Sequence, residues 1–242
     1  MIIDSLPLNL DGLEQMPGLV NAHDHMEFAL FPRLGNGPYP NATAWARDIY
    51  HPQRSPIVEQ LRIPKHLRLI WGGLRNLLAG VTTVCEHNPY HDVFDQGFPV
   101  RVVKRYGWAH SLEFGSDLRT HFLATPEGAP FLIHAGEGTD AATRAEVFEL
   151  DRLGVLAPNT VLVHAVAWDS EGWELLRQRG TNVIACPRSN LFTLGQTLEA
   201  CHPAALGTDS ALSTEGDLLD EISVAQGLWG DRARQMATCD AR

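Results

Sequence analysis

The sequence predicts a parallel α/β fold, either a barrel or a doubly wound sheet. Short apolar runs recur along the 242 residues, and stretches with helical periodicity lie between several of them. The runs do not alternate apolar with polar residues, as expected for strands that are buried on both faces. Gly80, Gly154 and Gly180 each follow a helical stretch and precede a strand, which is the order found in repeated strand–helix units.

Eight strands and four helices are predicted along the chain. The strands occupy residues 18–25, 81–85, 100–103, 106–109, 131–134, 160–164, 182–186 and 204–209, and the helices occupy residues 56–79, 143–153, 170–179 and 216–228. Leu67, Ile70 and Leu74 recur at helical spacing in the first helix, and Ser170 is the expected N-cap of the third. Residues 30–56 are rich in Pro, Gly and Asn, which predicts an irregular lid or pocket wall.

The composition argues against several classes of function. The formal net charge is −10 and the only lysines are Lys65 and Lys104, whereas nucleic-acid binding needs clustered basic residues. No apolar run approaches membrane-spanning length, and no N-terminal signal is evident. The four cysteines show no Cys-x-x-Cys spacing, and Cys85 and Cys186 lie in apolar runs, as reduced core thiols do. We therefore expect a cytoplasmic protein that acts on a small molecule, without nucleic-acid or membrane partners.

Histidines and an aspartate follow the apolar runs at the ends of several strands. His23 and His25 are two residues apart, so their side chains point to the same side of a strand. His134, His164 and Asp209 each follow a later run. A lone histidine at a strand end is usually structural, but in a parallel barrel all strand carboxyl ends open onto one face. Five such residues predict a metal site, and imidazole and carboxylate without thiolate suit zinc or ferrous iron.

Short motifs along most of the chain resemble a known family. They are residues 17–25 (PGLVNAHDH), 80–84 (GVTTV), 134–137 (HAGE), 163–164 (VH) and 207–210 (GTDS). As a set they resemble the amidohydrolase superfamily over residues 16–222. The resemblance implies a (β/α)8 TIM-like metallo-hydrolase barrel acting on carbon–nitrogen bonds other than peptide bonds. It implies His23, His25, His134 and Asp209 as metal ligands, and His164 as the residue that orients the attacking water.

Two features resemble the branch of guanine, S-adenosylhomocysteine and aminodeoxyfutalosine deaminases and triazine hydrolases. They are Glu137, three residues after His134, and the segment 186–190 (CPRSN). The resemblance implies that Glu137 carries protons to a ring nitrogen and to the leaving amine, while Asp209 and His164 accept the proton of the water. The residues expected to bind substrate are His110, Arg188, Ser189 and Asn190. For the last three, a structural turn after the seventh strand is the alternative.

The predicted reaction is hydrolytic deamination of an amino-substituted heterocycle, similar to a nucleobase or nucleoside. Two alternatives stay open: hydrolysis of an amide or halide on a small ring, and a catalytically silent relative that binds a ligand or partner. Glu137 favours deamination, although triazine hydrolases share this residue. One divalent metal, zinc or alternatively iron, is expected. Binuclear members bridge two metals with a carboxylated lysine, and no lysine follows Lys104.

The chain is shorter than the relatives that it resembles. Residues 1–16 are predicted to be a short N-terminal β segment, a vestige of a β-sandwich, beside a main domain of residues 17–242. The interval between His110 and Phe131 is tight for a strand–helix unit, so a shortened region around strands three and four is expected. Parts that are missing would leave surface exposed, and an exposed apolar patch is typical of an interface, so a homodimer is expected.

Overall fold

A computed structural model describes residues 16–115, 117–198 and 204–241. The strands are β1 (Leu19–Asp24), β2 (Val81–Glu86), β3 (Arg101–Val102), β4 (Gly107–Trp108), β5 (Phe131–Ala135), β6 (Thr160–His164), β7 (Asn182–Ala185) and β8 (Ala205–Leu206). The α-helices are α1 (Ala42–Ile49), α2 (Ile57–Leu61), α3 (Lys65–Leu78), α4 (Leu118–Leu123), α5 (Ala141–Arg152), α6 (Ser170–Arg179), α7 (Pro187–Leu194), α8 (Leu218–Trp229) and α9 (Arg232–Met236). The predicted N-terminal β segment, apart from Met16, lies outside the described residues.

The strands are parallel and pair in chain order within two sheets. One sheet contains β1, β2 and β3, and the other contains β4 to β8. A parallel bridge between Asp24 and Asp209 links β1 to the segment after β8. There the Asp209 N–H donates to the His23 carbonyl at 3.1 Å, and the His25 N–H donates to the Asp209 carbonyl at 3.2 Å. The prediction of an α/β fold with parallel strands is confirmed.

The region around β3 and β4 is short, as expected. Each of these strands has two residues, and residues 103–106 between them are too few for a helix. In the described part of the chain, no strand ladder joins β3 to β4. The six-residue helix α4 connects β4 to β5, so the helix that is missing is the one between β3 and β4.

Both faces of the strands are buried, which explains why the apolar runs do not alternate. One face packs on the helices, for example where Phe131 and Val183 share a cluster with Leu150 of α5. The opposite face forms a second cluster, with residues from six strands: Ala22, Cys85, Leu132, Val163, Ile184 and Ala205. Because this cluster contains residues of both sheets, the two sheets enclose a common interior.

Two helix predictions are corrected by the structure. The helix predicted at residues 56–79 is two helices, because α2 ends at Leu61 and Pro64 is the N-cap of α3. Proline has no N–H to continue a helical hydrogen-bond series, so the break falls there. At α6 the N-cap is Asp169 rather than Ser170, because the Asp169 carboxylate accepts the backbone N–H groups of the first turn.

The segment predicted to be irregular at residues 30–56 contains helix α1. Asn41 caps this helix, since its Oδ1 accepts the Ala44 N–H at 2.8 Å. The start of α1 is fastened to the loop after β5: the Ala42 N–H donates to the Glu137 carbonyl at 3.0 Å, and Asn41 forms an antiparallel bridge with Gly138. A local cap and a distant backbone partner therefore order a helix inside a stretch rich in Pro and Gly.

Helix α3 presents an apolar face to solvent. Leu67, Trp71, Leu74 and Leu78 lie along this face and are exposed. The opposite face carries Gly72, where an added Cβ would lie 2.6 Å from Met26 atoms, so a glycine is needed for the close approach. At 14 residues α3 is the longest helix that the structure describes, and none of the described helices combines the length and apolarity needed to cross a bilayer.

Candidate metal centre

Two histidines of the β1 end meet a third from β5 and an aspartate that follows β8. The Nε2 atoms of His25 and His134 lie 3.2 Å apart, and those of His134 and His23 lie 3.1 Å apart. Asp209 Oδ1 lies 3.3 Å from His23 Nε2 and 3.6 Å from His25 Nε2. All four residues are buried, with their donor atoms within 4.8 Å of one another. The structure brings together the four residues that the sequence nominates as ligands.

The chemistry of this cluster fits a divalent cation. His134 Nδ1 donates to the His110 carbonyl at 2.8 Å, so the neutral ring presents an unprotonated Nε2 to the cluster. Burial, together with neighbouring imidazoles, lowers the pKa of His25 to about 3 and that of His134 well below its usual value. Imidazole nitrogens and a carboxylate oxygen therefore converge on one small space, which is a donor set that zinc favours.

Asp209 is held in place by two serine hydroxyls. Ser189 Oγ and Ser213 Oγ donate to Asp209 Oδ2 at 2.6 and 3.0 Å, which leaves Oδ1 turned towards the histidines. Burial opposes ionisation of this carboxyl, but the hydrogen bond with the His23 imidazole and the electrostatic interaction with His164 outweigh it and hold the Asp209 pKa well below its usual value. The carboxylate is therefore an oriented anion at neutral pH.

Backbone strain is concentrated beside the same cluster. His164, Ala165 and Asp209 have φ angles of 82°, 54° and 59°, in the left-handed region that residues other than glycine rarely adopt. Such conformations cost about 1–3 kcal/mol each and persist where the surroundings enforce them, often at functional sites. Two of these three positions carry side chains that the sequence nominates as catalytic.

Glu137 lies on the loop after β5 and faces His164. Its Oε2 is 3.4 Å from His164 Nε2. Because His164 Nδ1 donates to Asn190 Oδ1 at 2.7 Å, the Nε2 that faces Glu137 is unprotonated in the neutral ring. Burial and the charge of Asp209 raise the Glu137 pKa well above its usual value, and burial lowers the His164 pKa to about 4. At neutral pH a protonated carboxyl therefore faces a neutral imidazole.

A second group of candidate ligand atoms shares one member with the first. Glu137, His164 and Asp209 each offer an atom within 4.8 Å of the other two. Asp209 therefore belongs both to the histidine cluster and to the group that contains Glu137 and His164. This arrangement places acid, base and ligand groups next to one another.

A cavity of about 1070 Å³ opens above these groups. His25, His134 and Asp209 lie in its lining together with Glu137. The exposed His110 forms part of one wall, and residues of α1 form another. The segment that was predicted to be a pocket wall does border the cavity, although it does so as a helix.

The residues predicted to bind substrate fall into two groups. His110 lines the cavity, whereas Arg188, Ser189 and Asn190 are absent from its described lining. Ser189 and Asn190 are fully buried against the two candidate catalytic side chains described above. Arg188 Nη1 lies 3.4 Å from Asp220 Oδ2 on α8. These placements favour a role in orienting site residues for Ser189 and Asn190.

Known proteins are similar to this chain in sequence. No protein-family model matches the chain. The chain is 23% identical over 281 aligned residues to a 5-methylthioadenosine/S-adenosylhomocysteine deaminase from Syntrophobacter fumaroxidans, with 91% of this chain and 62% of the relative covered. It is 35% identical over 148 residues to a deaminase of the same name from Saccharophagus degradans, with 51% and 33% covered.

Solved structures extend the likeness to the fold. An adenosine deaminase from Xanthomonas campestris with bound zinc superposes with a TM-score of 0.68 at 19% identity, covering 93% of this chain and 66% of the other. An atrazine chlorohydrolase from Arthrobacter aurescens complexed with zinc gives a TM-score of 0.67 at 14% identity, covering 93% and 70%. The predicted resemblance to the deaminase and chlorohydrolase branch of the amidohydrolase superfamily is confirmed.

The match to these amidohydrolases is partial in length. The chain spans less than two thirds of the length of the two curated relatives. The 281-residue alignment is longer than the 242 residues of the chain, so the Syntrophobacter relative carries residues within the aligned region that this chain lacks.

The prediction from sequence missed part of the candidate metal centre. It did not include His87, whose ring is buried and stacks on that of His134, with centroids 4.0 Å apart. Asn88 Nδ2 donates to Glu86 Oε1 at 2.9 Å and lies 3.4 Å from His25 Nδ1. Glu86 ends β2 and His87 follows it, so the strand-end pattern used for the other histidines was present here as well.

Proposed function

We propose that the protein is a metal-dependent hydrolase that deaminates an amino-substituted heterocycle of nucleobase or nucleoside type. The observation that carries the proposal is the position of Glu137, a carboxyl with a raised pKa, beside the His23, His25, His134 and Asp209 cluster and within the cavity lining. The deaminase names of the curated relatives support the same reaction. The cavity volume of about 1070 Å³ is sufficient for a small-molecule ligand.

One divalent metal, zinc by preference, would be held by His23, His25, His134 and Asp209. Such an ion supplies a water of lowered pKa and polarises the group that is attacked. The mixed imidazole and carboxylate donors support zinc, and two of the structural neighbours contain bound zinc. Iron is the alternative that the same donors accept.

The proton steps are assigned to three side chains. Asp209 and His164 take the proton from the attacking water, because both are unprotonated acceptors at neutral pH. Glu137 is protonated at the same pH, so it donates to the ring nitrogen next to the attacked carbon and then serves the leaving amine. Ser189 and Asn190 keep the acceptors oriented through their hydrogen bonds.

We propose that the eight strands form an interrupted (β/α)8 barrel within a main domain of residues 17–242. The bridge from β1 to the segment after β8 supports closure on one side, and the interior cluster shared by both sheets supports a common barrel core. The interruption lies between β3 and β4. In such a barrel the site would lie at the carboxyl ends of the strands, where His23 and His134 are found.

An ammonia-release screen with the zinc-reconstituted protein tests the reaction. Purines, pyrimidines, pterins and triazines are the candidate substrates, each as the free base and, where one exists, as the nucleoside. We expect the wild-type protein to release ammonia from at least one nucleobase-like compound. The His134→Ala variant should show neither activity nor stoichiometric zinc binding. Halide or amide hydrolysis without ammonia would replace deamination by the alternative reaction. Full zinc binding with no turnover in the whole screen would support the catalytically silent reading.

We also propose three properties that concern partners and location. A homodimer is supported by the exposed apolar face of α3, formed by Leu67, Trp71, Leu74 and Leu78. Light scattering should give twice the monomer mass, and a monomer at micromolar concentration would contradict it. A cytoplasmic location is supported by buried free thiols of the chain. The lack of a nucleic-acid partner is supported by the net charge of −10.

A further inference from the structure

His87 is a buried histidine outside the candidate ligand set and outside the proton steps proposed above. It follows β2 directly, and its side chain has no exposed surface. Its ring stacks on that of His134 with centroids 4.0 Å apart and planes 27° apart. It also packs against the His23 ring, at 4.8 Å and 75°. One imidazole thus contacts two candidate ligands that come from different sheets.

The orientation of His87 is fixed by the backbone near the end of β4. His87 Nε2 donates to the Ala109 carbonyl at 3.0 Å. The next carbonyl along the chain, that of His110, accepts from His134 Nδ1 at 2.8 Å. Consecutive carbonyls therefore hold the two stacked rings side by side. Among the described residues, His87 Nδ1 has no hydrogen-bond partner, so contact with neighbouring rings and the single Nε2 bond define its place.

His87 also spans the interruption between the sheets. No described strand ladder joins β3 to β4, and the candidate histidine ligands lie on both sides of this gap: His23 and His25 at the end of β1 in the first sheet, and His134 in β5 of the second sheet. Asp209 follows β8 and is bridged to β1. The His87 bond to Ala109 connects the end of β2 to the end of β4 over the gap. It therefore connects the two sheets next to the candidate ligands. A change in the distance between the sheets there would alter the distances between the candidate ligand atoms.

We propose that His87 is a positioning residue of the metal centre, which sets the His134 imidazole against His23 across the β3–β4 interruption. The inference rests on the metal centre proposed above. It assigns His87 no contact with the metal or substrate. Residues that support metal ligands commonly change metal affinity by 10–100-fold when they are replaced, because the ligands lose their fixed orientation.

Cobalt(II) loading of the whole chain provides the test, with the visible spectrum and chelator competition as readouts. His87→Gln keeps a donor near the position of Nε2 and removes the ring, whereas His87→Phe keeps a ring face and removes the donor. We expect altered cobalt absorption bands and about tenfold weaker cobalt binding for His87→Gln. His87→Phe should lie between this variant and the wild type. His91→Asn is the matched control, because His91 is a loop histidine that caps Asp92–Asp95 through the Val93 N–H.

The outcomes separate the two proposals. Wild-type spectra and affinity in His87→Gln would overturn the positioning role, while failure of the wild type to bind cobalt would overturn the metal centre itself. If neither His87 variant folds, nitrogen-15 NMR of histidine-labelled wild-type protein decides the matter. We expect the His87 proton on Nε2, in a hydrogen bond to the Ala109 carbonyl. A His87 with its proton on Nδ1 instead would reject the proposal.

Discussion

Removal of the bound metal should lower the melting temperature of the protein by several degrees. His23 and His25 come from the first sheet, His134 comes from the second and Asp209 follows β8, and no described ladder joins the sheets at β3 and β4. A metal that needs both sheets in their native places binds the folded state and not the unfolded chain. Its binding free energy therefore adds to the free energy of unfolding.

The size of the effect follows from linkage. Free metal at 100 times its dissociation constant adds about 2.7 kcal/mol to the free energy of unfolding. A chain of this length gains about 2–4 °C per kcal/mol, so we expect a rise of roughly 5–11 °C, and about 3–6 °C for each further tenfold increase in free zinc. Burial lowers the pKa of His25 to about 3, so protons do not compete with the metal for this ligand near pH 7.

Scanning calorimetry with zinc buffered over a thousandfold range of free concentration measures this shift. His134→Ala is the control, since it loses a ligand that lies between His23 and His25. Its melting temperature should not respond to zinc. A wild-type melting temperature that stays constant over the whole range, while zinc binds stoichiometrically, would show that zinc binds the unfolded chain as tightly as the folded one, and would refute the reasoning.

Three further predictions concern single side chains. Glu137→Gln should retain full zinc content and lose about 10²–10⁴ in ammonia-release rate, because an amide cannot donate the acid proton; a near wild-type rate would remove Glu137 from the mechanism. Ser189→Ala should lower kcat about tenfold with KM little changed, because it frees Asp209, whereas a raised KM alone would indicate substrate contact. Burial raises the Glu221 pKa from 4.5 to about 8, so the folded state keeps a proton that the unfolded chain releases. The contribution of this group to the free energy of unfolding is complete below about pH 4.5. It is lost towards pH 8, at up to about 1.4 kcal/mol per pH unit. Denaturant titrations of Glu221→Gln at pH 5 and 7 should lack this pH dependence.

The sequence predicted most accurately the residues whose positions follow from the pattern of a single strand. A parallel strand buried on both faces leaves an apolar run with a polar residue at its end, and this pattern located His134 and His164 without reference to their partners. The pair His23 and His25 was found because the strand repeat of two residues puts both side chains on one side. These predictions depend on spacing along a single strand, which the printed sequence contains.

Features that depend on distant contacts were the ones missed. Helix α1 was taken for irregular chain because the Pro-rich flank hides its cap, and its backbone partner at Gly138 is nearly a hundred positions away. His87 was left out of the predicted metal site because nothing near it in sequence reveals the His134 ring that it covers. The bond from Ser189 to Asp209 could not be predicted, since it exists only after α7 and the segment after β8 meet.

The backbone hydrogen bond between α1 and the loop after β5 couples the cavity wall to Glu137. The Ala42 N–H is bonded to the carbonyl of Glu137, and the same helix forms a wall of the cavity. A substitution that moves this wall should therefore also move Glu137, the proposed acid. Under the proposed function, we expect variants of α1 that accept a different compound to change in reaction rate as well.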